Sequence, residues 1–211
     1  VFLAPVLSFR GHAYSRAGVA AFTTSTGYGI AKYDNPEELS VSDRNNIGYQ
    51  YTDCPLYWIS VIYLNFAEAK AEMGSLTQDD LNNSINKLQA RAGLPAMTTT
   101  PDADPANNMG VSNLIWEIRR CRRCELIMDN WYRYWDLIRW HQLDKLDSTK
   151  YPNTMLGANV SNVPDCEEAT KNGYIDASDA QIRTYEAKHY FYPIPTTQLT
   201  LNKNMKQNPG W

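Results

Sequence analysis

The strongest constraint on this chain is the run of residues 118–140, in which arginine is interleaved with tryptophan and tyrosine. The run reads IRRCRRCELIMDNWYRYWDLIRW. Its apolar residues recur at helical spacing, which predicts one helix over residues 113–128 and a second helix that begins near Asn130. So many cations beside aromatic rings require carboxylate partners or aromatic faces on which to stack.

Each predicted helix has an apolar face and a set of charged residues. In the first helix the apolar face carries Ile115, Ile118, Cys124 and Leu126. The cations predicted to lie off that face are Arg119, Arg122 and Arg123. In the second helix the apolar residues that recur are Trp131, Trp135, Ile138 and Leu143. The charged residues between them, placed to pair with one another or with Glu125, are Arg133, Asp136 and Arg139. The pattern predicts two packed helices with tryptophan rings in the core.

The overall charge of the chain bears on what these arginines bind. Arginine with interleaved aromatic residues also occurs where proteins bind nucleic acid or phosphate. The chain, however, has a formal net charge of −3 and a sequence pI of about 5.6, so no basic field surrounds the run. We therefore expect the arginines to join helices, and we expect no nucleic-acid partner.

Three segments of the chain resemble one known family. The segment ELIMDNWYRYWDLIRW is similar to a signature of the SusD/RagB family of outer-membrane nutrient-binding lipoproteins. Two further pieces agree in order and character: IYLNFAEAKAEMG with NKLQARAGLP, and the terminal FYPIPTTQLTLNKNMKQNPGW. The pattern departs at Cys121, where the family usually carries Glu, and at Asp129-Asn130, which replaces Glu-Gly. The residues that match the structural signature are Glu125, Arg133, Trp135, Asp136, Arg139, Trp140, Pro193, Pro195, Asn204, Gln207 and Asn208.

The resemblance implies a fold, a function and a location. It implies a mainly α protein, a scaffold of helical hairpins similar to tetratricopeptide repeats, with long irregular loops and minor β structure. It implies a non-catalytic component of an uptake system, which binds an oligosaccharide and hands it to a SusC-like TonB-dependent outer-membrane transporter. The chain is expected to be the C-terminal portion of such a protein, held at the cell surface by a lipid anchor on a preceding part. Two alternatives stay open: a peptide ligand, or a protein-binding helical scaffold with no small-molecule site in this portion.

Size and composition fit one globular domain, or a large part of a bigger one, because the chain has 211 residues of which 43% are hydrophobic. Residues 1–55 are predicted to form a loop-rich segment with short strands. Residues 56–145 are predicted to form a helical core of two helix pairs. Residues 146–211 are predicted to form long loops, a short helix and an extended C-terminal clamp, all within one SusD-like domain.

The loop-rich segment carries the predicted ligand contacts. Aromatic side chains and hydrogen-bond donors accumulate there, which suits a sugar, whose apolar face stacks on a ring and whose hydroxyls bond polar groups. An ordinary loop packed on helices has the same composition, so both interpretations stay open. The residues predicted to contact a ligand are His12, Tyr14, Arg16 and Tyr28.

Residues 56–94 predict a helical hairpin. Residues 56–73 are apolar nearly all round in their first turns, which predicts a helix buried among others. Thr77 is predicted to cap a second helix with Asp80 three residues on. One face of that helix carries Leu81, Ile85, Leu88 and Ala92. Gly93 is predicted to end it in the left-handed conformation.

The other segments are predicted to be loops, one short helix and a tail. Residues 96–112 and 150–173 contain Pro, Gly and Asn at the density of long loops. Residues 177–188 are predicted to form a short helix capped by Ser178. The tail is expected to run extended, and its irregular backbone is expected to bond the side-chain amides of Asn202, Asn204, Gln207 and Asn208.

No pattern indicates an enzyme, a cofactor or a metal site. The three His lie far apart and no catalytic motif is present. Cys121 and Cys124 have C-x-x-C spacing without a second pair, so buried thiols are preferred over a redox or zinc site. Glu68 and Glu72 are predicted to lie on a solvated helix edge, which disfavours them as the acids of a glycoside hydrolase. A helical hydrolase is retained only as the third hypothesis.

Overall fold

A computed structural model describes residues 7–9, 26–30, 56–129, 131–162, 170–178 and 181–211. Its helices are α1 (Ile59–Glu72), α2 (Gln78–Asn82), α3 (Ile85–Arg91), α4 (Asn113–Glu125), α5 (Tyr132–Arg139) and α6 (Thr196–Leu201). Its strands are β1 (Leu7–Phe9), β2 (Tyr28–Ile30), β3 (Leu156–Asn159), β4 (Thr170–Lys171) and β5 (Tyr174–Asp176). Short 3₁₀ helices span Leu143–Leu146, Pro152–Met155 and Ala187–Tyr190. The predicted fold class, mainly α with minor β structure, is confirmed.

The described residues divide into two compact units, and the boundary falls after Arg133, within α5. The first unit contains α1 to α4. The second contains residues 26–28 and the chain from Tyr134 to Trp211. The small sheets are a β1–β2 pair and an antiparallel sheet in the order β3-β5-β4.

The turn into α2 forms as the sequence predicts. The Asp80 N–H donates to the Thr77 hydroxyl at 3.1 Å, and the Thr77 N–H donates to the Asp80 carboxylate at 2.9 Å. This reciprocal pair satisfies two N–H groups that a helix start leaves without partners. It fixes where α2 begins.

The helix predicted over residues 77–92 is interrupted, so its continuity was wrong. It forms as α2 and α3, which are separated at residues 83–84. The Ser84 hydroxyl donates to the Asp80 carbonyl at 2.6 Å, the acceptor that the Ser84 N–H would use in a continuous helix. Asn86, in the first turn of α3 after the break, is buried.

Gly93 ends α3 in the predicted manner. Its φ is +69°, and the N–H groups of Gly93 and Leu94 donate to the carbonyls of Ala90 and Gln89 at 3.1 and 2.9 Å. This is a Schellman motif, which requires a left-handed residue after the last turn. A Cβ added at Gly93 would meet nothing within 4 Å.

Gly93→Ala is therefore expected to lower the free energy of unfolding by roughly 1–2 kcal/mol, because the cost is backbone strain without a steric clash. Urea denaturation followed by circular dichroism measures it. Gly93→Asn is the matched control and should cost less, since Asn tolerates the left-handed conformation. Equal losses in the two variants would contradict this account of Gly93.

The core of the first unit lies where α1, α3 and α4 pack against one another. Its buried residues are Leu64, Ala67, Leu81, Ile85, Leu88, Met97, Ile118 and Leu126. The prediction that α1 is buried on all sides was wrong, because Ile59, Ile62 and Phe66 are exposed. Among the described residues, α3 and α4 cover one face of α1 and leave this second apolar face open.

Polar groups in this core correct two further predictions. Arg122, predicted to lie off the apolar face of α4, is buried, and its guanidinium donates to Asn65 at 2.8 Å. Glu68, predicted to be solvated, is buried and accepts from Arg119 at 3.2 Å. An arginine stem packs along apolar neighbours while its head group reaches a polar partner, so apolar spacing alone misplaces such residues.

The second unit contains a β-hairpin where the Pro, Gly and Asn content predicts a loop. Residues 172 and 173 have φ of 54° and 80°, and Lys171 pairs with Tyr174 across the turn. An Asn-Gly pair with both φ positive is the usual two-residue hairpin turn, so this dipeptide was the missed signal. Ile175 of β5 is buried with Ala158 and Val160.

The helix predicted over residues 177–188 was wrong for the described part of that range, which is irregular until the 3₁₀ helix at Ala187. The Ser178 N–H and hydroxyl both donate to Asp176, at 3.0 and 2.6 Å, and form a turn that is not a helix cap. Further on, the Arg183 carbonyl accepts the Ser148 N–H at 2.9 Å. These partners hold the backbone away from helical geometry.

Candidate functional site

Of the four predicted ligand residues, Tyr28 lies among the described residues and His12, Tyr14 and Arg16 lie outside them. Tyr28 begins β2 and is exposed. Two residues earlier, the Thr26 carbonyl accepts the Ala158 N–H of β3 at 2.8 Å. Tyr28 is thus displayed beside the β3-β5-β4 sheet, and its contact with a ligand stays a prediction.

The described chain displays another aromatic surface, which we call the aromatic patch: Tyr134, Trp135 and Tyr192. The rings of Tyr134 and Trp135 lie edge to face, with centroids 5.6 Å apart. The hydroxyls of Tyr134 and Tyr192 are 3.3 Å apart and share a hydrogen bond. Trp135 is 53% exposed and Tyr192 is 67% exposed. The patch therefore presents aromatic rings and hydroxyl groups to solvent.

The exposure of Trp135 corrects the prediction that Trp131 and Trp135 lie on the core face of the helix, whereas Trp140 is buried. Trp131 is 81% exposed as well. The buried side chains of α5 are instead Asp136 and Leu137, followed by Trp140 after the helix. Because the buried residues of α5 are Asp136 and Leu137 and the predicted stripe began with Trp131 and Trp135, the predicted face was rotated away from the real one.

Two signature residues of α5, Asp136 and Arg139, pair with each other on the helix that carries the patch. The Arg139 guanidinium donates to the Asp136 carboxylate at 3.0 Å and lies over the Trp140 ring at 4.8 Å. The predicted pairing between these two charged residues is confirmed. Since Asp136 is buried, the bond satisfies a carboxylate that would otherwise be costly to remove from water.

The tail positions the Tyr192 side of the patch. The Gln207 side chain accepts the Ile194 N–H at 2.8 Å and donates to the Ile194 carbonyl at 2.9 Å. The Asn208 side chain donates to the Tyr192 carbonyl at 2.7 Å. As the sequence predicts, these amides satisfy an irregular backbone, here the segment through Pro193 and Pro195.

The tail also contains a short helix and a set of bonds made by its last residues. The tail was predicted to be extended throughout, but it contains α6. The Asn202 side chain accepts the Asn204 N–H at 3.1 Å. The Trp211 ring N–H donates to the carbonyls of Lys188 and Phe191, at 3.2 and 2.9 Å. These bonds fold the end of the chain back onto residues 188–191 and fix the backbone that leads into Tyr192.

The chemistry of the patch is that of a binding surface. The hydrogen bond with Tyr192 raises the pKa of Tyr134, so the Tyr134 hydroxyl remains protonated at neutral pH. Hydroxyls beside aromatic faces match a sugar, which has polar edges and apolar faces. α5 and the amide-bonded tail order the three rings, and ordering of this kind lowers the entropic cost of any contact made there.

Glu125, a signature residue of the first unit, and the cysteine Cys121 are structural in their contacts. Arg91 donates to both Glu125 carboxylate oxygens, at 2.7 and 2.5 Å. Burial raises the pKa of Cys121 to about 12, so this thiol stays protonated and unreactive at neutral pH. Cys121 and Cys124 are free thiols, and Cys54 and Cys166 lie outside the described residues.

No cluster of three or more His, Cys, Asp or Glu side chains in the described ranges is placed to hold a metal ion. No helix in the part of the chain that the structure describes has the length and apolar character needed to cross a membrane.

The comparisons with known proteins agree with the motifs quoted above. The model of the SusD family matches residues 11–211. The chain belongs to the SusD family. No functionally curated protein matches this SusD-family chain.

Solved structures share the fold of this SusD-family chain. A SusD-like protein from Bacteroides fragilis has 24% sequence identity and a TM-score of 0.55, over 89% of this chain and 31% of its own. A protein described as selenomethionine BT4246 has 26% identity and a TM-score of 0.64, over 97% of this chain and 33% of its own. The chain thus spans about a third of the length of each.

Proposed function

We propose that this chain is part of a non-catalytic, cell-surface glycan-binding component of an outer-membrane nutrient uptake system. The observation that carries the proposal is the SusD-family match over residues 11–211. The aromatic patch supplies a physical means of binding, because it presents ordered rings and hydroxyls. The oligosaccharide bound there passes to a SusC-like TonB-dependent transporter, and a lipid anchor holds the protein at the outer membrane.

Trp135→Ala tests the patch. We expect the affinity for an oligosaccharide that the protein binds to fall about tenfold or more, because truncating an aromatic anchor typically costs over 1 kcal/mol. Calorimetric titration against a panel of oligosaccharides measures it. The variant should keep the wild-type circular dichroism and urea midpoint, since the ring is more than half exposed.

Trp131→Ala is the matched control. Trp131 is also an exposed tryptophan, but it lies outside the patch. Its loss should leave the affinity at the wild-type value. Equal affinities of Trp135→Ala and wild type would remove the patch from the ligand site. A protein that binds no oligosaccharide but binds peptides in the same titrations would identify a peptide-binding member.

One observation favours a second function, that of a protein-binding scaffold. Ile59, Ile62 and Phe66 form the exposed apolar face of α1. Contiguous exposed apolar residues of this kind mark interaction surfaces. Ile62→Glu would weaken binding to the transporter in a pull-down without sugar if the scaffold is the main role, and it would leave glycan affinity unchanged.

A further inference from the structure

The second unit contains a groove, and its lining does not include the residues of the aromatic patch. Its volume is about 420 Å³, which lies within the range of small-ligand sites. Its lining combines apolar residues with polar ones: Pro152, Met155, Leu156 and Ile182, and Ser148, Thr149, Lys171, Asp176, Ser178 and Gln181. Apolar surface beside hydrogen-bonding groups is what a sugar requires.

The sheet places its polar side chains on the groove side. Lys171 and Tyr174 are directly opposed across the β4–β5 hairpin, so their side chains project from the same face. Asp176 is two residues beyond Tyr174 and shares that face. Ile175 points the other way and is buried. Lys171 and Asp176 therefore face the groove, and Tyr174, which is partly exposed, stands at the edge of the same face.

Hydrogen bonds within the protein order the residues beside the groove. The Thr149 hydroxyl and N–H donate to the Asp147 carboxylate at 2.5 and 2.9 Å, and the Tyr185 N–H donates to its other oxygen at 3.2 Å. The Ser148 hydroxyl and the Arg183 N–H are 3.0 Å apart and bonded. The bond from Thr149 lowers the pKa of Asp147 to about 2, so the carboxylate is ionised at neutral pH.

The charges that line the groove balance. Lys171 is the cation among its lining residues and Asp176 is the anion. The Asp176 carboxylate already accepts two bonds from Ser178. Gln181 and Lys171 are exposed and leave amide and ammonium donors at the mouth. This balance fits hydroxyl groups and favours neither a highly anionic nor a cationic ligand.

We propose that the groove is a second subsite for a neutral oligosaccharide, separate from the aromatic patch. The inference rests on the proposed glycan-binding function and adds a site and a ligand class to it. A chain long enough to occupy both sites gains affinity, because its second contact is intramolecular. A short oligosaccharide occupies one site at a time.

The test compares two groove variants with a matched control. Lys171→Ala/Gln181→Ala removes two exposed donors, and Gln181→Trp fills the groove. Gln198→Ala/Lys203→Ala removes the same residue types from exposed positions at α6 and just after it, outside the groove lining. All are titrated by calorimetry with neutral oligosaccharides of two to eight sugars, beside wild type and Trp135→Ala.

We expect the affinity of wild type to rise with oligosaccharide length. Both groove variants should bind the longest oligosaccharides about fivefold or more weakly, as expected for the loss of one or two hydrogen bonds, while the control matches wild type. Groove variants that match wild type at every length would overturn the subsite and leave the glycan-binding function standing. A wild-type protein that binds none of the oligosaccharides would overturn both.

Discussion

Replacing Arg119 with methionine is expected to lower the free energy of unfolding by about 3–5 kcal/mol, the usual cost of removing one partner of a buried ion pair. The Arg119 side chain is 10% exposed and bonds Glu68, which is 4% exposed, at 3.2 Å. A second bond, at 3.1 Å, reaches Glu72. Methionine keeps the length of the stem but leaves the Glu68 carboxylate without this guanidinium. Urea denaturation with two probes measures the change.

Arg120→Met, on the same helix, is the control for this prediction. Arg120 pairs with Glu117 at 2.6 Å, but its side chain is 54% exposed. Exposed pairs contribute between nothing and about 1 kcal/mol, so we expect a loss of that size. If the two methionine variants unfold at the same urea concentration, burial of the Arg119 pair does not govern its contribution.

The contrast between these two arginines explains how far the sequence predicts this fold. Both follow the same helical spacing, and nothing in the order of residues distinguishes the buried pair from the exposed one. The partner of Arg119 lies 51 residues earlier, on α1. A pattern within one helix carries no information on which of its charged residues meets such a partner.

Features that depend on neighbouring residues were predicted correctly. The pairing of Thr77 with Asp80, the left-handed Gly93 and the bond from Arg139 to Asp136 each join residues at most a few positions apart. The Asn172-Gly173 hairpin belongs to the same class, but the surrounding Pro and Asn residues are typical of a loop and mask its signal. Local chemistry is therefore the part of this fold that the sequence specifies most directly.

The aromatic patch was not predicted, and the reason is physical. Tyr134 and Tyr192 are 58 residues apart in the chain, and the tail must fold back to join them. Trp135 was assigned to the core because large apolar residues at helical spacing usually face inward. Sequence did identify the amides that order the tail, but it did not identify the surface that the ordered tail completes.

Asn86→Ala is expected to lower the free energy of unfolding by roughly 1–3 kcal/mol, the cost of leaving a buried polar group without its partner. The Asn86 side chain accepts the Met97 N–H at 2.7 Å and donates to the Met97 carbonyl at 3.1 Å. Gln78 also donates to the Met97 carbonyl, at 3.0 Å, so the carbonyl keeps one partner in the variant. The Met97 N–H loses its bond to Asn86. Hydrogen exchange should therefore accelerate at the Met97 amide more than elsewhere in the first unit.

Asn83→Ala separates this effect from the general cost of losing an asparagine. The exposed Asn83 side chain donates to the Asp79 carbonyl at 3.0 Å, where water can replace it. Its loss should cost under about 1 kcal/mol and leave exchange at Met97 unchanged. The Asn86 side chain bonds both the N–H and the carbonyl of Met97, and the Gln207 side chain bonds the same two groups of Ile194. If the Met97 amide of Asn86→Ala exchanges at the wild-type rate, the Asn86 side chain does not order the segment after α3.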